Sequence, residues 1–247
     1  MRQFLYNNRI VLQVLTGAFI ISFSAVWVKL ADVAPATSAL YRVFFGFLFL
    51  FVAAFWQKEI RIIPARNLYW ILLCGIIFGI DLLCWHKSIS FIGPGLSTVI
   101  GNFQVFLLAA VGIFFFGEKV RLRFLFAIPI AVLGLFLVVG IDANALTQEY
   151  KAGIYFALLT ALFYAGFIIC LRKIHSDQNQ PSFFYSLMLI SFVATIFLAL
   201  EMVLSDNPFT IPDIRNLAIL LSLAFFSQVL GWLLITNAMP KIRTSLT

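Results

Sequence analysis

Charge is what this chain lacks. Only 11% of its 247 residues are Asp, Glu, Lys or Arg, against roughly 25% in ordinary globular domains, so a water-facing surface cannot be assembled from it. Histidine is reduced to two residues and cysteine to three. Cys74, Cys84 and Cys170 are far apart and lie inside apolar runs, which excludes a disulfide scaffold and leaves them as core filler. No glycine-rich loop followed by Lys-Ser or Lys-Thr is present, which argues against ATP hydrolysis by the chain itself. There is no His-Glu-x-x-His and no cluster of metal-ligand residues, so no metal and no cofactor are expected. The formal net charge is +7, but Lys and Arg are dealt out between apolar segments rather than gathered on one face, so nucleic acid is not an expected partner.

What the chain has in excess is apolar length. It is 63% hydrophobic with 29 phenylalanines, and its mean hydropathy is +1.04. A helix crossing a bilayer needs about 20 mostly apolar residues. Eight segments qualify: residues 10–28, 37–56, 67–85, 95–116, 124–141, 152–171, 181–204 and 216–239. They are called spans one to eight below. Transmembrane barrel strands alternate apolar and polar residues over about ten positions, whereas these runs are continuously apolar for twice that length, so an all-α polytopic bundle is expected. Arg2 and Arg9 precede the first run as they would in a signal peptide, but the run is too long for one, and an uncleaved first span is the better reading.

The sparse charges report orientation. Arg2, Arg9, Lys58, Arg61, Arg66, Lys119, Arg121, Arg123, Arg172, Lys173, Lys241 and Arg243 flank the spans on one side, and Lys29, Lys87, Lys151 and Arg215 on the other. The positive-inside rule then places the N-terminus in the cytoplasm and the chain in a plasma membrane, taken as a bacterial inner membrane.

A weak internal repeat is legible. A shift of 149 lays Asn67-Leu68 on Asn216-Leu217 and carries span three onto span eight, and a shift of 143 lays span one on span six. Five spans in the first unit, residues 1–141, invert a second unit that begins at 142 and has three spans by residue 247. Completing the pair would take about 43 more residues, so the chain is expected to be a C-terminally truncated form of a ten-span design.

Several motifs then carry a resemblance. Gly79-Ile80-Asp81-Leu82, Trp85-His86-Lys87-Ser88-Ile89, Gly101-Asn102-Phe103-Gln104 and Phe116-Gly117-Glu118-Lys119, followed by Gly134, resemble the first repeat of the EamA-type permeases of the drug/metabolite transporter superfamily. Tyr41-Arg42-Val43-Phe44 resembles that family's second-span motif, and Ser227-Gln228 through Gly231-Trp232, with Thr244-Ser245-Leu246, its second repeat. The pair Ile21-Ser22 departs from the tryptophan-glycine pair common in the family's first span. The resemblance implies two inverted five-helix repeats, cytoplasmic termini and transport of small metabolites or drugs.

Only two charges lie well inside spans, and each costs about 2.5–3.5 kcal/mol on insertion scales unless it finds a partner or a cavity. Counting at helical rise, Arg42 and Asp81 lie at matching depth, roughly 8–9 Å below the outer boundary. Three readings stand open: a structural ion pair pinning spans two and three; a proton- or substrate-binding carboxylate with Arg42 beside it; a snorkelling pair. His86 is expected at the outer mouth. Asn102 and Gln104 are candidate substrate hydrogen-bonders, of which at most one should face a central cavity because residues two apart on a helix diverge. Gln228 is the counterpart candidate in the second half, with Trp85 and Tyr164 as candidate aromatic walls. Structural roles are expected for Glu118 beside a helix N-terminus, for Gly75 and Gly79 as a close-packing face and for Pro129 as a kink in span five.

The expected function is secondary transport of small metabolites or drugs, amino-acid-like or other small organic solutes, by alternating access. The alternatives are an intramembrane enzyme and a non-transporting scaffold subunit. Expected partners are a small-molecule substrate and membrane lipid. Proton coupling, transport direction and oligomeric state are left open.

Overall fold

In the computed structural model the described residues are 2–60, 63–116, 147–176 and 181–238, with six isolated positions between 127 and 137; only backbone is described for 2–9 and 115–116. Glu118 and nearly all of span five lie outside them. Pro129 is helical with an exposed side chain, and the neighbours that would define a kink there are also outside.

Every regular element among the described residues is a helix. Six of these helical stretches are long and apolar enough to cross a membrane, with spans three and four joined in one stretch, Ala65–Phe114. The cause is local. Gly93 is the one non-helical residue within Ala65–Gly101, at φ 78 and ψ 166, a left-handed conformation natural to glycine. Pro94 follows and favours an extended residue before it. The chain folds back at this point. Before it, Ile77 lies beside a Cβ placed on Gly166, and Ile92 beside one on Gly153; after it, a Cβ on Gly101 would meet Thr160. Span three therefore runs antiparallel to span six, and span four runs alongside six in its own direction.

Other spans are less regular than uniform apolar runs suggest. Span one is two helices, Arg2–Ser22 and Ser24–Leu30, interrupted at Phe23. Ser22 Oγ and Ser24 Oγ donate to the carbonyls of Phe19 and Ile21 at 2.7 and 2.6 Å beside the break, the local bonding by which serine bends helices. Span two is the continuous helix Pro35–Trp56, with its proline in the first turn, where no amide hydrogen is needed. Span six, Gln148–Ile174, is capped by Thr147, whose side chain accepts from Tyr150 N. It carries Glu149 in its first turn and Arg172 and Lys173 in its last, the charge order that suits a helix dipole. Span seven is Phe183–Leu204, capped by Ser182. Span eight contains Ile214–Ser222, a π-helical stretch Leu223–Gly231 and Trp232–Ala238.

Packing pairs span three with six, two with seven, one with eight, and three with seven. In lipid, helix association rests on close packing and polar contacts rather than on hydrophobic exclusion. Glycine provides the approach: a Cβ on Gly75 would come within 2.6 Å of Val193 Cβ, and one on Gly79 within 2.7 Å of Phe197 Cδ1. The face expected for close packing therefore meets span seven. Large apolar side chains point outward, Phe19, Phe55, Trp56 and Leu204 among them, as a lipid-facing surface requires.

Span ends assort onto two faces. On one, the Ser182 hydroxyl donates to the Glu59 carboxylate. On the other, Asp32 N donates to Asn216 Oδ1 at 2.8 Å, Thr37 and Tyr41 hydroxyls donate to the Pro208 and Phe209 carbonyls, and Ser88 Oγ donates to Gly153 O at 2.9 Å. Lys87 Nζ lies 3.6 Å from Glu201 Oε1 on this second face.

Candidate functional site

Span two carries Arg42 inward, where 3% of the residue is exposed, and span three does the same with Asp81, also at 3%. Both line a cavity of about 410 Å³. Phe78 and Trp85 join Asp81 from span three. Span four contributes Thr98, Gly101, Asn102 and Gln104; span six contributes Thr160 and Tyr164; span eight contributes Trp232 and Ile235; span one closes the side with residues between Ala18 and Ser24.

The two charges share the cavity and interact electrostatically, but they are not in ion-pair contact. Of the three open readings, the structural ion pair pinning spans two and three is not formed here. Arg42 is held elsewhere. Its Nε donates to Gln228 Oε1 at 3.4 Å, and Gln228 Nε2 donates in turn to Ser191 Oγ at 3.1 Å. The guanidinium carbon lies 5.5 Å from the centroid of the Trp85 ring, within the range of a cation–π contact. Asp81 Oδ1 is buried with no hydrogen-bond partner.

The polar rung Arg42–Gln228–Ser191 ties spans two, eight and seven together. It depends on Gly46, one turn from Arg42 on the same helix: a Cβ there would stand 2.5 Å from Gln228 Cγ. It also depends on the π-helical stretch that contains Gln228, a departure from α-geometry often found at functional sites. Gln228, a candidate for touching the solute, reaches Arg42 but is fully buried and is not among the cavity-lining residues; Gly46 and Ser191 were not among the expected residues. The spacing of Gly46 from a buried arginine is the signal that could have found it.

Trp85 and Tyr164 line the cavity, so these two aromatics face inward. Trp232 stands edge-on to Phe167, with centroids 4.9 Å apart, and its indole nitrogen has no partner. Asn102 and Gln104 both line the cavity, correcting the expectation that at most one would. The helix ends at Gly101, turns through Asn102 and Phe103 and restarts at Gln104. Tightened bonds, such as Phe103 N to Ile100 O at 3.0 Å, replace the α-pattern across the break, so helical divergence does not apply. His86 does not sit at an open mouth. It is 1% exposed, its Nδ1 is 2.6 Å from Ser38 Oγ, and it is not among the cavity-lining residues. A serine on the neighbouring helix draws it into the bundle.

Long apolar helices surrounding a solute-sized, mostly apolar cavity, with an arginine and an aspartate among its lining residues, define a polytopic membrane protein built around an internal cavity. Residues 8–140 match the EamA-like transporter family. The chain belongs to that family and is a membrane transporter of the drug/metabolite type. No curated protein matches the sequence. A solved structure described only as "Crystal structure of protein" is similar in fold, with a TM-score of 0.71 at 15% identity over 96% of this chain and 81% of that one; at that identity the likeness speaks for fold alone.

Proposed function

We propose that the chain carries small organic solutes, metabolites or drugs, across a bacterial inner membrane by alternating access, with the cavity between spans two, three, four, six and eight as its binding site. The observation that carries this reading is the pair Arg42 and Asp81, buried on one cavity wall and not closed on each other. Two opposite charges in lipid are expected to pair unless the space between them serves something else. Arg42, Asp81, Trp85, Asn102, Gln104 and Tyr164 are the residues that would meet a solute, with Gln228 holding Arg42 in place.

The proposal includes two inverted units, residues 1–141 and from 142 onward, and a cytoplasmic N-terminus. The packing supports the inversion. Exchanging spans one, two and three with six, seven and eight turns the one–eight contact into six–three, maps two–seven onto itself and turns three–seven into eight–two, all of which occur. Such a pseudo-two-fold would set the binding site between the units.

The test is counterflow in proteoliposomes with purified protein, preloaded with a panel of neutral, cationic, anionic and zwitterionic small solutes. Saturable exchange of at least one solute, lost in Asp81→Asn, is the expected result. A folded protein that exchanges none of the panel would sink the transport reading, and exchange untouched by Asp81→Asn would sink the assignment of the site.

A further inference from the structure

The polar atoms on the cavity wall are unequally provided for. Arg42 has a carbonyl oxygen at its Nε and an aromatic face beneath its guanidinium. Asp81 Oδ1, Gln104 Oε1 and Thr160 Oγ1 are buried without a hydrogen-bond partner, and all three residues line the same cavity. No Lys or Arg among the described residues is in ion-pair contact with Asp81. Of the three, Asp81 alone is a pure acceptor: the Thr160 hydroxyl can also donate, and the Gln104 side chain is hydrogen-bonded to Tyr164, so the group left without a donor is the carboxylate. Buried acceptors left unmatched are costly, a carboxylate most of all. The ligand that relieves this cost brings donors and positive charge together.

We propose that the solute carried by this cavity presents an ammonium group to Asp81: it is a small amine, bound as its cation, on an aromatic or branched apolar body. This rests on the transport reading above and names its substrate class. A primary ammonium offers positive charge and three N–H donors, which the Asp81 carboxylate lacks among the described residues. The body of the solute would lie against Phe78, Tyr164 and Trp232, whose ring faces also favour a cation nearby. The volume of about 410 Å³ lies toward the lower end of the ~300–1,000 Å³ typical of small-molecule pockets, which suits a single-ring amine. Arg42, already engaged by Gln228 and Trp85, then acts as a fixed neighbour that repels a second positive group, limiting the solute to one ammonium placed at the Asp81 side.

The test compares three solutes with the same body and different charge: phenethylamine, 2-phenylethanol and 3-phenylpropionate, at about pH 7, where an alkylamine is cationic. Equilibrium binding to purified protein and exchange in proteoliposomes are both measured. Phenethylamine is expected to bind at least about 10-fold more tightly than the other two, and Asp81→Asn is expected to weaken it by about 10- to 100-fold, the range for losing one charge-assisted bond. Equal or tighter binding of the alcohol or the carboxylate overturns the proposal, as does amine binding unchanged in a folded Asp81→Asn protein. If that variant does not fold, the ranking of the three solutes in the unaltered protein decides alone. Exchange of other solutes without amine binding removes the amine assignment and leaves transport standing. Amine binding without exchange of any solute removes transport and leaves the amine site standing.

Discussion

Two opposite-charge pairs in this bundle are treated in opposite ways. Lys87 and Glu201 join spans three and seven near their shared end at 3.6 Å, with side chains 32% and 18% exposed. Arg42 and Asp81 lie deeper, at 3% exposure each, where a lower dielectric would make contact strongest, and they do not touch. Proximity to solvent therefore does not explain which pair closes. What separates the inner pair is a set of competing holds on the arginine: the amide of Gln228, anchored by Ser191, and the ring of Trp85. Holding charges apart costs stability, and the structure accepts that cost only at the cavity.

The largest expected effect falls on the inner pair. Arg42→Leu leaves Asp81 without its nearby positive charge and leaves Gln228 Oε1 without its donor, and it should lower stability by about 3 kcal/mol, as a buried acceptor losing a charged donor does. Thermal unfolding in detergent reads this directly. Arg42→Leu combined with Asp81→Leu should recover most of the loss while exchange stays absent. A single-variant loss under about 1 kcal/mol would mean that both charges are already relieved by water within the cavity.

A smaller effect separates cavity support from plain packing. Gly46→Ala and Gly75→Ala each insert a methyl into a tight approach, 2.5 Å from Gln228 Cγ in one case and 2.6 Å from Val193 Cβ in the other. Each should cost about 1–3 kcal/mol by overpacking. Only Gly46→Ala displaces the amide that holds Arg42, so only it should also weaken solute binding. Matched losses of binding in both variants would show that the rung has no role beyond packing.

How much of this could be read in the sequence follows from which forces act locally. The membrane-capable helices among the described residues were legible because lipid demands about 20 apolar residues whatever the neighbours, and Arg42 and Asp81 stood out because charge inside such runs is rare. The turn between spans three and four was legible in Gly93-Pro94-Gly95. The break at Asn102 and Phe103 was not, since neither residue forbids a helix and the rearrangement is a matter of hydrogen-bond registry. The burial of His86 was hidden for a different reason: it depends on Ser38, 48 positions away, and distance along the chain says nothing about which helices become neighbours. That the inner charges stay apart depends on Gln228 and Ser191, from spans eight and seven, and no spacing within span two reveals them.

The smallest effect belongs to the outer pair. Lys87→Met removes one ion pair in a partly exposed setting, where screening and side-chain entropy leave about 0–1 kcal/mol. Glu201 Oε1 keeps the Ser205 hydroxyl, 3.2 Å away, as a donor, although Oε2 is buried without a partner, so the carboxylate retains one hydrogen bond where Asp81 has none. Lys87 also lies 5.7 Å from the centroid of the Phe156 ring, and its methylenes can be replaced by those of methionine without opening a hole. A double-mutant cycle of Lys87→Met with Glu201→Gln should therefore give a coupling no larger than about 1 kcal/mol, shrinking as salt is raised. The inner pair should show the reverse, with little response to salt because ions do not reach it. A coupling above about 2 kcal/mol at the outer pair, insensitive to salt, would mean that Lys87 and Glu201 are sealed from water, and solvent screening would then no longer distinguish the two pairs.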